Sequence, residues 1–389
     1  MKIFSIFCIL LFLQNGFSQI YIAGETYFGE NNFIEYRAGS FPIIISAPHG
    51  GTLEPSEIPD RNCSGCSTIR DFATDDLAEK MYDAIFEEFG CYPHVIINRL
   101  HRIKLDANRE IVEAANGNPL AEQAWNEFHD FIEASKNSVN TQFEKGIYLD
   151  LHGHGHDIQR LELGYLISKA TLQMSDAVLN DETNIESSSI LNLVNDNLEG
   201  LNFAELLRGA NSFGEFYEME NYPAVPSQTD PFPIGDEPYF SGGYNTSRHG
   251  SRDDGSIDGI QIECNREGVR DTEAQRLAFA ASTATVLKNY LETHYFGIGG
   301  LENNCESVSS DFLNNAFSIS ISPNPVEDFL KIEIENFDNT NLKMKVYNQV
   351  GRVLFESKTN ESQQIISTVS YTHLRSPRDQ RGSRMPSSA

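Results

Sequence analysis

Two apolar runs that break off into histidine and glycine constrain this chain most. Pro42-Ile43-Ile44-Ile45-Ser46-Ala47 stops at Pro48-His49-Gly50-Gly51, and Ile147-Tyr148-Leu149-Asp150-Leu151 stops at His152-Gly153-His154-Gly155-His156. A short apolar run without alternation fits a strand covered on both faces, as in a parallel sheet. Open α/β sheets place their ligands outside the carboxyl ends of such strands. Glycine there lets the backbone turn sharply and approach a bound group. Neutral imidazole is the commonest protein ligand for zinc, and Asp150 offers a carboxylate that would orient His152. One His-rich surface loop can bind metal adventitiously. Two junctions of the same design, 103 residues apart, make that reading harder to hold.

The rest of the chain reads as an α/β alternation. Residues 21–45 alternate around turn glycines and suggest a hairpin before the first apolar run. Asp71 to Phe89 has helical spacing, with Phe72, Leu77, Met81, Ile85 and Phe89 on one face. Val95-Ile96-Ile97 is a further buried strand, and a helix carrying Trp125, Phe128, Phe131 and Ile132 follows it. Residues 169–220 look helical and acidic, and residues 221–256 read as a long ordered loop, a length that usually signals function. Ile257 to Cys264 is another buried strand with Glu263 near its end, and the helix Thr272 to Tyr295 closes the unit. Strand and helix in turn predict a mixed, largely parallel sheet flanked by helices.

The two ends differ in style. Lys2, the apolar stretch Ile3 to Leu13 and the small residues Gly16 and Ser18 predict a secretory signal peptide over residues 1–19, too short for a membrane span. No later run is long enough to span a membrane either. Residues 301–316 read as a linker. Short alternating runs from residue 317 to 368 predict a small all-β module. Residues 369–389 are basic, lack a periodic apolar face and look non-native. The formal charge of −27 argues against nucleic acid or anionic membrane as a partner. Removal of the leader would leave five cysteines, an odd number with at least one thiol outside an intramolecular pair. Cys63-Ser-Gly-Cys66 reads as a local disulfide or two free thiols rather than half a zinc knuckle.

Polar chemistry concentrates at strand ends and their loops: His49, Arg99, Asn108-Arg109, His152 and Glu263. A catalytic zinc takes three protein ligands and keeps one position open. His49 and His152 are the candidate nitrogen ligands. The third ligand stays open among Asp71, Glu54 and His154, with Asp71 preferred because it opens a helix. Glu263 is the candidate general base. Arg99 joins it in the catalytic set, and arginine geometry suits both Arg99 and Arg109 to gripping a carboxylate. Each residue also has an ordinary reading, a satisfied strand-end histidine or a surface ion pair; their joint arrival at successive strand ends carries the functional one.

Pro48-His49-Gly50-Gly51, Asp71 with Leu77-Ala78, Arg99 with Asp106-Ala107-Asn108-Arg109, Asp150-Leu151-His152, Gly242-Gly243-Tyr244 and Ile262-Glu263, in this order, resemble the N-formylglutamate amidohydrolase family, related to zinc carboxypeptidases and aspartoacylase-type deacylases. The resemblance covers roughly residues 40–295. It implies a phosphorylase/hydrolase-like α/β catalytic domain over residues 20–300, one zinc, and hydrolysis of an amide beside a carboxylate in a small N-acyl amino acid or peptide. By the same resemblance His49 and His152 are ligands, Glu263 is the base, Asn108 and Arg109 clamp the carboxylate, and Tyr244 lies on the substrate loop. The carboxypeptidase and aspartoacylase relatives carry a glutamate three residues after the first histidine, where this chain has Thr52. A metallocarboxypeptidase and a noncatalytic surface-binding protein are the alternatives.

The terminal module resembles the sorting domain of the type IX secretion system. Ser322-Pro323-Asn324-Pro325, the strand Phe329 to Ile334, and Val346-Tyr347 with Gly351-Arg352 carry that likeness. It implies the type IX machinery as a partner and a secreted or surface-attached product.

Overall fold

The computed structural model describes residues 21–301, except residue 64, and the backbone of five strands between residues 318 and 367. The expected signal peptide, most of the expected linker and the basic tail lie outside the described residues. The chain divides into two compact units, Met1–Cys305 and Glu306–Ala389.

The first unit is built on an eight-stranded sheet. Its strands are β1 (Thr26–Phe28), β2 (Ile34–Arg37), β3 (Ile43–Ala47), β4 (His94–Asn98), β5 (Gly146–Gly153), β6 (Leu161–Gly164), β7 (Ala224–Val225) and β8 (Ile257–Cys264). They lie in the order β1-β2-β4-β3-β5-β8-β6-β7. The central four, β4-β3-β5-β8, run parallel. Antiparallel β2 flanks them on one side and antiparallel β6 on the other. The sheet is therefore mixed and largely parallel with helices around it, as expected. The apolar runs supply its centre: all residues of β3, β4 and β8 are buried.

Helix α1 (Thr74–Phe89) links β3 to β4, and after α2 (Ile111–Ala115) the helix α3 (Pro119–Phe143) links β4 to β5. These crossovers step along the sheet in opposite directions, so right-handed connections put α1 and α3 on opposite faces. α1 buries Leu77, Ala78, Met81 and Ile85, and burying each large side chain is worth about 1.5–3 kcal/mol. It starts three residues later than its apolar spacing suggests. Ala73 takes a left-handed conformation (φ 59°) and breaks the helical path, which leaves Asp71 in the approach to the helix. α3 begins at Pro119 behind Asn118, whose side chain accepts bonds from the Leu120 and Ala121 amides. The acidic stretch after β6 forms six short helices between Lys169 and Met219, and the long loop beyond carries the helix Tyr244–His249. The helix Glu273–Leu291 is capped by Thr272, and its buried side chains close the core.

Cys63 and Cys66 form a disulfide with Cα atoms 5.6 Å apart, Cys91 is also disulfide-bonded, and Cys264 is a buried free thiol. In the second unit, the strands Ser318–Ser322, Phe329–Glu335 and Gln363–Ser367 make a three-stranded antiparallel sheet, and Leu342–Tyr347 pairs with Val353–Thr359. Among the described residues no helix is long and apolar enough to cross a membrane.

Candidate metal centre

From β3 the chain moves to β4 on one side, then returns through α3 to β5 on the other. The crevice between the carboxyl ends of β3 and β5 is thus a topological switch point, where open α/β sheets bind ligands. His49 lies two residues past β3, and His152 is the penultimate residue of β5. Glu263 on β8 is paired in register with His152. Three adjacent parallel strands therefore deliver three of the expected site residues to one edge.

Asp71 arrives by a different route. Its amide donates to the His49 carbonyl (3.0 Å), and Thr74 Oγ1 donates to the Asp71 carbonyl (3.0 Å). Gly50 allows this approach, since a Cβ there would overlap the Asp75 amide. Gly153 does the same on β5, where a Cβ would collide with the Arg270 guanidinium. That guanidinium is buried and donates to the carbonyls of Cys264 (3.0 Å), Phe72 (2.5 Å) and His154 (2.9 Å). It ties together the end of β8, the approach to α1 and the loop after β5.

His49 Nδ1, His152 Nδ1 and Asp71 Oδ2 converge. The two nitrogens are 3.1 Å apart, and the oxygen lies 3.3 Å from His49 and 3.2 Å from His152. The far side of each ring meets a carboxylate: His49 Nε2 donates to Asp106 Oδ1 (2.5 Å) and His152 Nε2 to Asp150 Oδ2 (2.8 Å). That arrangement places the ring protons on Nε2 and turns both Nδ1 lone pairs toward the Asp71 oxygen. All three residues are buried. Lone pairs held this close among buried residues require a positive charge among them.

The donor set fits zinc. A tetrahedral site with bonds of about 2.0–2.1 Å has edges of about 3.3 Å, close to all three distances. Without a metal, protons must meet the same demand. Burial would lower the His152 pKa, but Asp150 and Asp71 hold it well above the ordinary histidine value. Burial would raise Asp71, but the two histidines hold it well below its ordinary value.

The carboxylates behind the rings are themselves fixed. Asp150 Oδ1 accepts from Ser46 Oγ (2.7 Å) and Asn245 Nδ2 (3.2 Å). Asp106 accepts from the Asn108 amide (3.1 Å) and Arg102 Nε (3.0 Å). Asn108 receives the Asn245 amide on its Oδ1 (2.8 Å), and its Nδ2 lies 3.2 Å from His152 Nε2. Asp106 stands beside the Asn108-Arg109 pair and Asn245 in the long loop 221–256, and only the fold shows what each of them faces.

A cavity of about 500 Å³ opens over the cluster. Glu263 and Asn108 line it beside the three converging residues, and Arg109 stands at its mouth with a half-exposed side chain. Burial pushes the Glu263 carboxyl up to about 8, against the pull of the neighbouring His152. Its Oε1 accepts from Gln261 Nε2 (3.0 Å). Five arginines line the cavity, Arg70, Arg102, Arg109, Arg266 and Arg270, a local excess of positive charge in a chain of net charge −27.

Two expected residues are placed elsewhere. Arg99 does not line the cavity; its guanidinium pairs with Glu35 of β2 (2.6 Å) and Glu79 of α1 (2.5 Å). Tyr244 does not line it either. Its ring packs beside those of Trp125 and His129, and its hydroxyl accepts from Arg248 (2.9 Å), while Gly242 and Gly243 face the cavity. Of the alternative third ligands, Glu54 is exposed on a loop, and His154 belongs to a separate cluster with His156 and Glu162.

Residues 320–376 match the secretion system C-terminal sorting domain family. The chain thus carries a type IX sorting domain, which marks it for export to the cell surface or beyond. No curated protein sequence matches the chain. Among solved structures it is similar to N-formylglutamate amidohydrolase from Ralstonia eutropha JMP134, at 11% identity and a TM-score of 0.37, covering 71% of this chain and 97% of that one. A gene product from Agrobacterium tumefaciens is similar at 13% identity and a TM-score of 0.39, over 67% and 93% of the two chains. A protein of Shewanella denitrificans OS217 assigned provisionally to the metallopeptidases is similar at 14% identity and a TM-score of 0.27, over 67% and 78%.

Proposed function

We propose that this exported chain is a zinc-dependent amidohydrolase that cleaves an amide beside a free carboxylate. The observation that carries the reading is the convergence of His49 Nδ1, His152 Nδ1 and Asp71 Oδ2 at 3.1–3.3 Å, each ring backed by a carboxylate. In this reading those three residues hold the metal. Zinc in such a site supplies Lewis acidity, which polarises an amide carbonyl and acidifies water.

The chain's own residues do the rest. Glu263, buried beside His152, takes a proton from water and returns it to the leaving nitrogen. Asn108 within the cavity and Arg109 at its mouth orient the substrate carboxylate, which arginine can bind through two parallel bonds. The five arginines draw an anionic substrate into a chain that otherwise repels one.

The cavity volume favours a second reading of the substrate. About 500 Å³, with Phe72 and Phe240 partly exposed at its wall, accommodates a peptide or a long acyl group as well as a formyl group. Incubating the zinc-loaded full chain with N-formyl amino acids, N-acyl amino acids and short peptides, with product amines quantified, separates the cases. The amidohydrolase reading expects turnover of blocked amino acids, and carboxypeptidase action expects release of C-terminal residues from peptides. No turnover of any of them would overturn both and favour the noncatalytic binding protein.

A further inference from the structure

We propose that His154, His156 and Glu162 form a second metal site, separate from the first, for a divalent cation of the zinc class. One ligand atom from each of these residues lies within 4.8 Å of the others. Two imidazole nitrogens and one carboxylate oxygen are a donor set that zinc-class cations favour.

The cluster is built rather than incidental. His154 is buried, and its Nε2 donates to the Arg160 carbonyl (2.9 Å). This tautomer leaves Nδ1 as the lone-pair atom, and ligating histidines commonly anchor their other nitrogen on a carbonyl in this way. Glu162 is buried, and its Oε2 accepts the Phe240 amide (2.7 Å), which turns Oε1 toward the two histidines. That Oε1 lies 2.7 Å from His156 Nδ1. The His156 ring stacks on Phe240, with centroids 4.9 Å apart and planes 14° from parallel, so its direction is fixed although its side chain is 23% exposed. His154 and His156 both line the central cavity, so a cation can reach them. The His154 Nδ1 also accepts the His156 amide at 3.1 Å, a bond that ligation would replace.

The sheet register separates this site from the first. Glu263 pairs with His152 on one side and with Glu162 on the other. The two clusters therefore flank Glu263 on adjacent strands. The inference does not rest on the proposed hydrolytic role of the first site.

Cobalt(II) binding to the metal-stripped full chain tests it, read by equilibrium stoichiometry and by the visible d–d absorption of the bound ion. The wild type is expected to bind two equivalents at micromolar affinity. His156→Ala, a partly exposed position that tolerates truncation, and Glu162→Gln, which keeps the side-chain shape, are each expected to bind one, and His152→Ala to lose the other. One equivalent in the wild type, kept in both His156→Ala and Glu162→Gln but lost in His152→Ala, would overturn the second site and leave the first standing. One equivalent lost in His156→Ala and kept in His152→Ala would support the second site and sink the first. Two equivalents in every variant would place the second ion elsewhere and overturn the inference.

Discussion

The Nδ1 atoms of His49 and His152 face each other across 3.1 Å, although 103 residues separate them in the chain. Asp106 and Asp150 hold the opposite nitrogens and so keep both lone pairs turned inward. Replacing either carboxylate by an amide frees the ring to flip or change tautomer. Asp106→Asn and Asp150→Asn are each expected to weaken zinc about 10–100-fold, measured by competition with a chromophoric chelator. Unchanged affinity in both would mean that the rings are not ligands.

Much of this centre was legible in the sequence because strand ends declare themselves. An apolar run that stops at His-Gly marks both the strand and the polar residue delivered at its end, and Glu263 stands likewise near the end of the apolar run of β8. The sequence predicts Asp71 at the opening of a helix; it lies three residues before α1, held by the His49 carbonyl and the Thr74 hydroxyl. Asp106, Asn245 and Arg270 act on groups 57, 95 and 198 residues away, and no local spacing marks such partners. Arg99 misled for the converse reason. It also sits at a strand end, beside β4, but an arginine there can turn to the carboxylates of β2 and α1 as readily as to a ligand.

That placement of Arg99 has a measurable consequence. Arg99→Ala is expected to leave kcat/KM within about twofold while lowering unfolding free energy by about 1–3 kcal/mol, because the buried Glu35 keeps only Arg37 as a partner. Urea denaturation beside steady-state kinetics reads both. A large loss of turnover with unchanged stability would return Arg99 to the catalytic set.

In the proposed mechanism Glu263 sets the acid side of the pH profile. Burial pushes its carboxyl up to about 8, and only the ionised form accepts a proton, so kcat/KM falls as pH falls. A cation beside it favours the carboxylate and draws the midpoint down, so the limb is expected between the ordinary glutamate value of 4.5 and about 8, with a slope of about tenfold per pH unit. Glu263→Gln should keep its zinc, lose about 10²–10⁴ in kcat and lose the limb. A variant with full activity would remove Glu263 from the mechanism.

Arg270 should matter to both stability and metal binding. Lysine cannot reach the three carbonyls that its guanidinium joins, so Arg270→Lys leaves buried acceptors unpaired. A cost of about 2–4 kcal/mol follows, read as a fall of several degrees in Tm, together with weaker zinc because Asp71 neighbours the released Phe72 carbonyl. A variant with wild-type Tm and zinc affinity would show that the three segments hold their positions without it.

The central claim concerns one point in space. The most direct test is a crystal structure of the zinc-loaded chain with anomalous data across the zinc edge. The account predicts an anomalous peak bonded to His49 Nδ1, His152 Nδ1 and Asp71 Oδ2 at about 2.0–2.2 Å, with a further position open to the cavity. Both rings should still be anchored on Asp106 and Asp150. No zinc among those three atoms, with the rings flipped away from one another, would contradict it.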